Sequence, residues 1–170
     1  MNTSVIESVG PTNLEKVLPL IRAYQEFYQV AEISDDKNRE FFSQFGEANP
    51  AGCQFLYLQN GMPIGFATVY LTYTTTIASK VAVLNDLYTL SAARGNGVGR
   101  SLIEHCRHYA ARHGAARLQW VTAPTNHQAQ RLYDALNTKK SDWCFYTYPV
   151  DQGGAWTQLP TPVTANDIPF

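Results

Sequence analysis

Apolar residues recur along this chain with two periods, and the switches between them mark out its elements. Ser4–Val9 alternates as a short strand and is stopped by Gly10-Pro11. Leu14, Val17, Leu18, Ile21 and Tyr24 then share one helical stripe, which predicts a helix from a cap at Thr12 or Asn13 to about Tyr28. Asp35-Asp36 opens a second, shorter helix through Phe41, Phe42 and Phe45. Strand-like runs return at Gln54–Gln59 and Pro63–Tyr73. The Asn60-Gly61 pair between them tolerates a type I′ turn, so these runs form a hairpin. Thr72–Ser79, rich in threonine, reads as a loop or as an extension of the flanking strands.

Lys80–Leu90 is a third strand, apolar on both faces except at Asn85 and Asp86. A helix follows from about Gly97 to His113, with Val98, Leu102, Ile103, Cys106, Tyr109 and Ala110 turned inward and Gly114 as its stop. Arg117–Thr122 is a strand, Asn126 caps a helix whose Ala129, Leu132, Tyr133 and Leu136 share a face, and Trp143–Tyr148 is a last strand. The order βααβββαβαβ predicts an α/β fold. Its mixed sheet is antiparallel in the N-terminal part and parallel through the later crossovers, with helices on both faces. Residues 1–148 make one domain, and 149–170 form a proline-rich tail.

Composition narrows the class. The 170 residues are 45% apolar and 16% charged, enough for one buried core and unlike a disordered chain. No apolar run is long enough to cross a bilayer. The opening Met1-Asn2-Thr3-Ser4 lacks a secretory pattern, and Cys53, Cys106 and Cys144 are odd in number and widely spaced; reduced thiols and a cytoplasmic location are therefore expected. Charge is unevenly placed. Residues 1–50 hold four basic residues against eight acidic ones, whereas 94–131 hold six arginines against the single acid Glu104. The basic stretch suits a small polyanionic ligand and the acidic one suits cations; no nucleic-acid or membrane partner is expected.

The sharpest local feature is Arg94-Gly95-Asn96-Gly97-Val98-Gly99-Arg100, set between a strand and a helix. Three glycines at alternate positions strip side chains from the backbone, so its N–H groups can converge on an anion at the positive end of the helix. A Walker A loop is excluded because Arg94 stands where its first glycine belongs. A dinucleotide fingerprint is excluded because Arg100 stands where its third belongs. What remains is Arg-x-x-Gly-x-Gly.

This motif resembles the acyl-CoA signature of the GNAT superfamily of N-acetyltransferases, and Asn126-His127-Gln128-Ala129-Gln130-Arg131-Leu132-Tyr133 is similar to a second block of that family. Leu84-Asn85-Asp86-Leu87-Tyr88 looks closest to the branch that acetylates polyamines, histone tails and D-amino acids, although diamine acetyltransferases carry Glu-Asp in place of Asn85-Asp86. Leu136-Asn137 also departs from the family's usual Gly-Phe. The resemblance implies a splayed sheet with acetyl-CoA wedged between Leu84–Leu90 and Arg117–Thr122. Backbone groups of Leu87, Tyr88 and Thr89 would pair with the pantetheine, the amides of Arg94 to Arg100 would hold the pyrophosphate, and Asn126 would cap its helix and contact the cofactor. A homodimer is expected on the same ground.

Acetyl transfer to an amine needs a neutral amine, a donor to the carbonyl oxygen and a proton for the departing thiolate. Tyr133 is the candidate acid, since a phenol stays protonated at neutral pH; by periodicity alone it is a core position. Asp86 is the candidate base or ammonium partner, or else a structural carboxylate; Asn85 cannot accept a proton usefully. Because strand side chains alternate, only one of the two faces a given side of the sheet. His105, His108 and His113 with Cys106 could suggest a metal, but His105 and Cys106 are adjacent and point about a quarter turn apart, and His108 with Arg107 suits a solvated face, so no metal is expected. Trp120, Trp143 and Tyr146 are candidates for an acceptor pocket, a core or a dimer interface. The expected function is acetyl-CoA-dependent N-acetylation of a small primary amine, with a protein-lysine acetyltransferase and a non-catalytic acyl-CoA-binding module as rivals.

Overall fold

Asn60 and Gly61 take φ angles of 50° and 79°, the two positive values that a tight turn between twisted strands requires, and so close the expected hairpin. The structure, a computed structural model, describes residues 3–148. Its elements run β1 (Ser4–Ser8), α1 (Leu14–Phe27), α2 (Asp35–Phe42), β2 (Gly52–Gln59), β3 (Met62–Thr74), β4 (Ser79–Thr89), a 3-10 turn at Ser91–Ala93, α3 (Val98–Arg112), β5 (Leu118–Gln119) and α4 (His127–Asp134). The five strands lie in chain order in one sheet, antiparallel from β1 to β4 and parallel between β4 and β5.

Each face of the sheet has its own core. Val17, Leu18, Leu20 and Ile21 of α1 pack on Leu56, Leu58, Phe66 and Tyr88. On the opposite face, Val98, Leu102, Ile103, Cys106, Tyr109 and Ala110 of α3, with Ala129 and Tyr133 of α4, pack on Phe55, Ala67, Val69, Ala82, Leu84 and Leu87. β2 is buried along nearly its whole length, which accounts for its lack of a polar face. α2 is tied to α1 by a reciprocal amide pair, Gln25 and Asn38, at 2.8 Å in both directions, and by Arg22–Asp35 at 2.8 Å.

One open alternative is decided and two expectations change. The threonine-rich Thr72–Ser79 extends both strands, to Thr74 and from Ser79, with the turn confined to 75–78. The strand expected at Arg117–Thr122 shrinks to Leu118–Gln119. The last strand expected at Trp143–Tyr148 is not formed: the segment has no regular structure, and Trp143, Phe145, Tyr146 and Tyr148 are exposed. A β5 of two residues offers too short a ladder to order another strand against it. Asn137, which stands in the departure from Gly-Phe, adopts φ 58° just past α4, the left-handed geometry a glycine would otherwise supply. The proline-rich tail at 149–170 lies outside the described residues.

Candidate active site

The site begins with one extra residue. Val69 pairs with Leu84 but Thr68 pairs with Asp86, so β4 carries a bulge at Asn85. The bulge reverses which residues face which side. Ala82 and Leu84 point to the α3 face, yet beyond the bulge it is Leu87 that joins them, while Asp86 and Tyr88 turn to the α1 face. Asn85 is left exposed. β4 also parts from β5 here: the two pair only at Ala82–Leu118 and Val83–Gln119, so the edge of β4 from Leu84 onward is open.

That open edge presents main-chain groups. Leu90 N–H donates to Ile64 O at 2.9 Å, and the two-residue alternation turns the backbone of Tyr88 toward β3 as well. Of the three residues expected to line the edge, Leu87 and Thr89 therefore aim their N–H and C=O outward, and Tyr88 does not. Thr89 O already accepts from Arg94 Nε at 3.3 Å.

At the end of β4, Gly95 and Gly97 take φ 77° and 79°, and a Cβ added at either would meet nothing within 4 Å. Gly97 is the N-cap of α3 and has no capping side chain, whereas Ser34 and Asn126 cap α2 and α4 through Lys37 N–H and Ala129 N–H. The first amides of α3, those of Val98, Gly99 and Arg100, consequently have no intrahelical acceptor. Gly99 serves differently: a Cβ there would stand 3.3 Å from Leu132 Cδ2, so it permits the close approach of α4. A cavity of about 260 Å³ opens at this point, lined by Thr89, Arg94, Gly97, Arg100, Gln128 and Leu132 among others. Asn96 is held by its own side chain, which donates to the carbonyls of Ala93 and Arg94. Free amides, a positive helix end and two arginines fit a diphosphate. Partial burial lowers the pKa of Arg94.

Asn126 accepts Ala129 N–H at 3.0 Å and is buried, so it does cap α4 as expected. Tyr133, two turns along, is buried; Trp120 meets its ring edge-on at 5.1 Å. Burial pushes its phenol well above the ordinary value, which keeps it protonated. On the α1 face, Asp86 accepts Asn85 Nδ2 at 3.1 Å and lies opposite Thr68 in the β3–β4 register, with the Tyr24 hydroxyl as a third donor acting on it. Burial raises its pKa and these three donors oppose the rise. Tyr24 packs edge-on against Tyr28 at 4.8 Å, and the Tyr28 phenol in turn lies within electrostatic reach of Tyr133. Asp86 and Tyr133 lie on opposite faces of the sheet.

Sequence reasoning missed Tyr24, Tyr28, Thr68 and Gln54. Tyr24 reads as part of the apolar stripe of α1, while Gln54 and Thr68 could have been noticed as polar residues within apolar strands. Trp143 and Tyr146 are placed at the surface and not in a pocket. Among the described residues no three metal-ligating side chains gather: Cys106 is buried, His105 packs on Phe55 and His108 meets Arg107. Cys53 is also buried, Cys144 is exposed, and none of the three cysteines is bridged. No helix among the described residues is long and apolar enough to cross a membrane.

Comparison with known proteins agrees with this geometry. The model of the acetyltransferase (GNAT) family matches residues 17–137. The uncharacterized N-acetyltransferase YhfO of Bacillus subtilis is 32% identical over 143 residues, covering 84% of this chain and 94% of that protein. The D-amino-acid N-acetyltransferase HPA3 of Saccharomyces cerevisiae is 32% identical over 137 residues, covering 79% and 84% respectively. Among solved structures, the aminoglycoside N-acetyltransferase AAC(6')-Iy in complex with CoA superposes with a TM-score of 0.73 over 88% of this chain and 96% of that one, at 21% identity.

Proposed function

The chain belongs to the acetyltransferase (GNAT) family, and from that premise we propose that it transfers the acetyl group of acetyl-CoA to the primary amine of a small molecule, a polyamine, diamine or amino acid, by direct attack. Membership in a family of acetyltransferases makes it an acetyl-CoA-dependent enzyme and sets aside the non-catalytic rival. Among the relatives, HPA3 is named for D-amino acids and AAC(6')-Iy for aminoglycosides, so small amines are well represented.

The observation that carries the reading is the start of α3, where Gly97 caps the helix without a side chain and Arg94 and Arg100 line one cavity; Asp86 and Tyr133 are the acid–base pair we assign beside it. The amine must lose a proton to attack, and the thiolate that leaves must gain one. Asp86, a carboxylate whose affinity for protons burial has raised, takes the proton from the amine nitrogen. Tyr133, kept protonated by burial, gives its hydroxyl proton to the sulfur and is reprotonated from solvent. The amides of Gly97, Val98, Gly99 and Arg100 fix the diphosphate, and Leu87 and Thr89 offer outward main-chain groups to the pantetheine arm. Positioning of this kind turns a bimolecular encounter into an intramolecular one. The mouth beside α1 and α2 is acidic: Arg22 is engaged by Glu26 and Asp35, and Arg39 by Glu15 and Asp36. A cationic acceptor suits it.

The test is an acceptor panel of polyamines, diamines, D- and L-amino acids and a lysine-rich peptide, read by release of CoA thiol. Turnover of a small amine well above the peptide supports the reading. Preference for the peptide replaces it with protein-lysine acetylation.

A further inference from the structure

We propose that Tyr24 and Thr68 are positioning residues that hold the Asp86 carboxylate as the proton acceptor of the reaction, each through a hydrogen bond from a different element. The inference rests on the reading of Asp86 given above and extends it to residues that touch neither substrate nor coenzyme.

Three polar residues stand side by side across the α1 face of the sheet, in a region otherwise apolar. Gln54 of β2 is paired in register with Thr68 of β3, and Thr68 with Asp86 of β4. Gln54 and Thr68 are both wholly buried. Gln54 Nε2 donates to Thr68 Oγ1 at 3.1 Å. With an N–H already directed at that oxygen, the one hydroxyl proton of Thr68 goes to Asp86. The row has a desolvation cost that leucine and valine in the same places would not have, since Gln54 Oε1 is buried without a partner. Asn85, the bulge residue, adds Nδ2 to Asp86 Oδ1 at 3.1 Å.

The third partner comes from the helix. The Tyr24 ring is fixed by edge-on contacts with Tyr28, Phe66 and Tyr88, with centroids 4.8, 5.7 and 5.9 Å away. Its hydroxyl lies within electrostatic reach of Asp86, and we assign its proton to that carboxylate. Groups facing the carboxylate are thus Thr68 and Tyr70 from β3, Asn85 from β4, and Tyr24 with Tyr28 beyond it from the end of α1. No lysine, arginine or histidine among the described residues is among those acting on it. Burial already raises the pKa and only neutral donors oppose it, so losing one raises it further and the carboxylate retains its proton to higher pH.

The experiment is kcat against pH for the full chain and for Tyr24→Phe, Thr68→Val, Thr68→Ser and Asp86→Asn, using acetyl-CoA and the best acceptor of the panel. The amine's own titration is common to every variant, so differences in the acid limb belong to the protein. Tyr24→Phe keeps the ring and its packing, and Thr68→Val keeps the shape; calorimetric affinity for CoA confirms that each is folded. Both should shift the acid limb to higher pH, lowering kcat on that limb by up to about tenfold, the equivalent of one pH unit. Thr68→Ser, which restores the donor, should return the limb toward wild type, and Asp86→Asn should lose the limb with most of the activity. An acid limb unmoved in both Tyr24→Phe and Thr68→Val, beside an inactive Asp86→Asn, overturns the positioning role alone. A wild-type rate and profile in Asp86→Asn overturns the reading beneath it.

Discussion

Replacing Gly97 by alanine isolates one physical term. Gly97 sits at φ 79° as the cap of α3, and a Cβ there would meet no atom within 4 Å. No clash is added, so the whole penalty is that of holding an L-residue in the left-handed region, about 1–2 kcal/mol. Where the penalty appears depends on the free loop. If the loop keeps this conformation without ligand, the substitution lowers Tm by roughly 2–8 °C. If the free loop relaxes and must be drawn back by the coenzyme, affinity for CoA weakens, by roughly 5–30-fold. Calorimetric titration with CoA and a thermal melt together recover the full amount. Gly99→Ala is the matched control. Its Cβ faces the flexible end of Leu132 at 3.3 Å, and a helical alanine gains about 1 kcal/mol over glycine. Stability and affinity should therefore stay within about twofold of wild type, given those offsetting terms. Wild-type Tm and affinity in Gly97→Ala, or an equal loss in Gly99→Ala, would refute the assignment of the loop.

Tyr133→Phe should lower kcat by about 100-fold or more while CoA affinity changes little, because the ring is kept and only the proton donor is lost; wild-type turnover rejects it as the acid. With its phenol raised by burial, Tyr133 should add no alkaline limb to the wild-type profile below pH 10 or so, which a rate measurement across that range checks. Asp86 gives opposite signs for activity and stability. Its folded pKa is raised, so activity falls as pH drops through that value, while its destabilising contribution, present above it, fades over the same window. Chemical denaturation at several pH values, compared with Asp86→Asn, reads the second effect; a contribution that grows on acidification is inconsistent with it. For the proposed homodimer, the exposed rings of Trp143, Phe145, Tyr146 and Tyr148 are the surface a second copy would cover. Trp143→Ser should weaken self-association in sedimentation equilibrium, and a wild-type chain monomeric at all concentrations ends that proposal.

Much of the fold was legible because its signals are local. The inward face of α3 read from spacing is the face that is buried, residue for residue, and the Asn60-Gly61 turn, the Asn126 cap and the Gly97 cap each depend on a few neighbouring dihedrals. The glycine loop ahead of α3 was legible for the same reason: glycine spacing before an amphipathic helix states its own backbone geometry. Trp143–Tyr148 shows the limit. Its alternation is strand-like, but a strand exists only when an edge is there to pair with, and β5 is two residues long.

The pattern of residues along the chain determined most of the helices and strands and their caps, since those properties follow from steric and hydrogen-bonding rules spanning a few residues. Only the tertiary structure decided that Asn85 is the bulged residue, that Asp86 therefore looks toward Tyr24 instead of α3, and that Gln54 and Thr68 stand in line behind it. Register across strands is set by the summed packing of two cores, and no window of adjacent residues contains that sum.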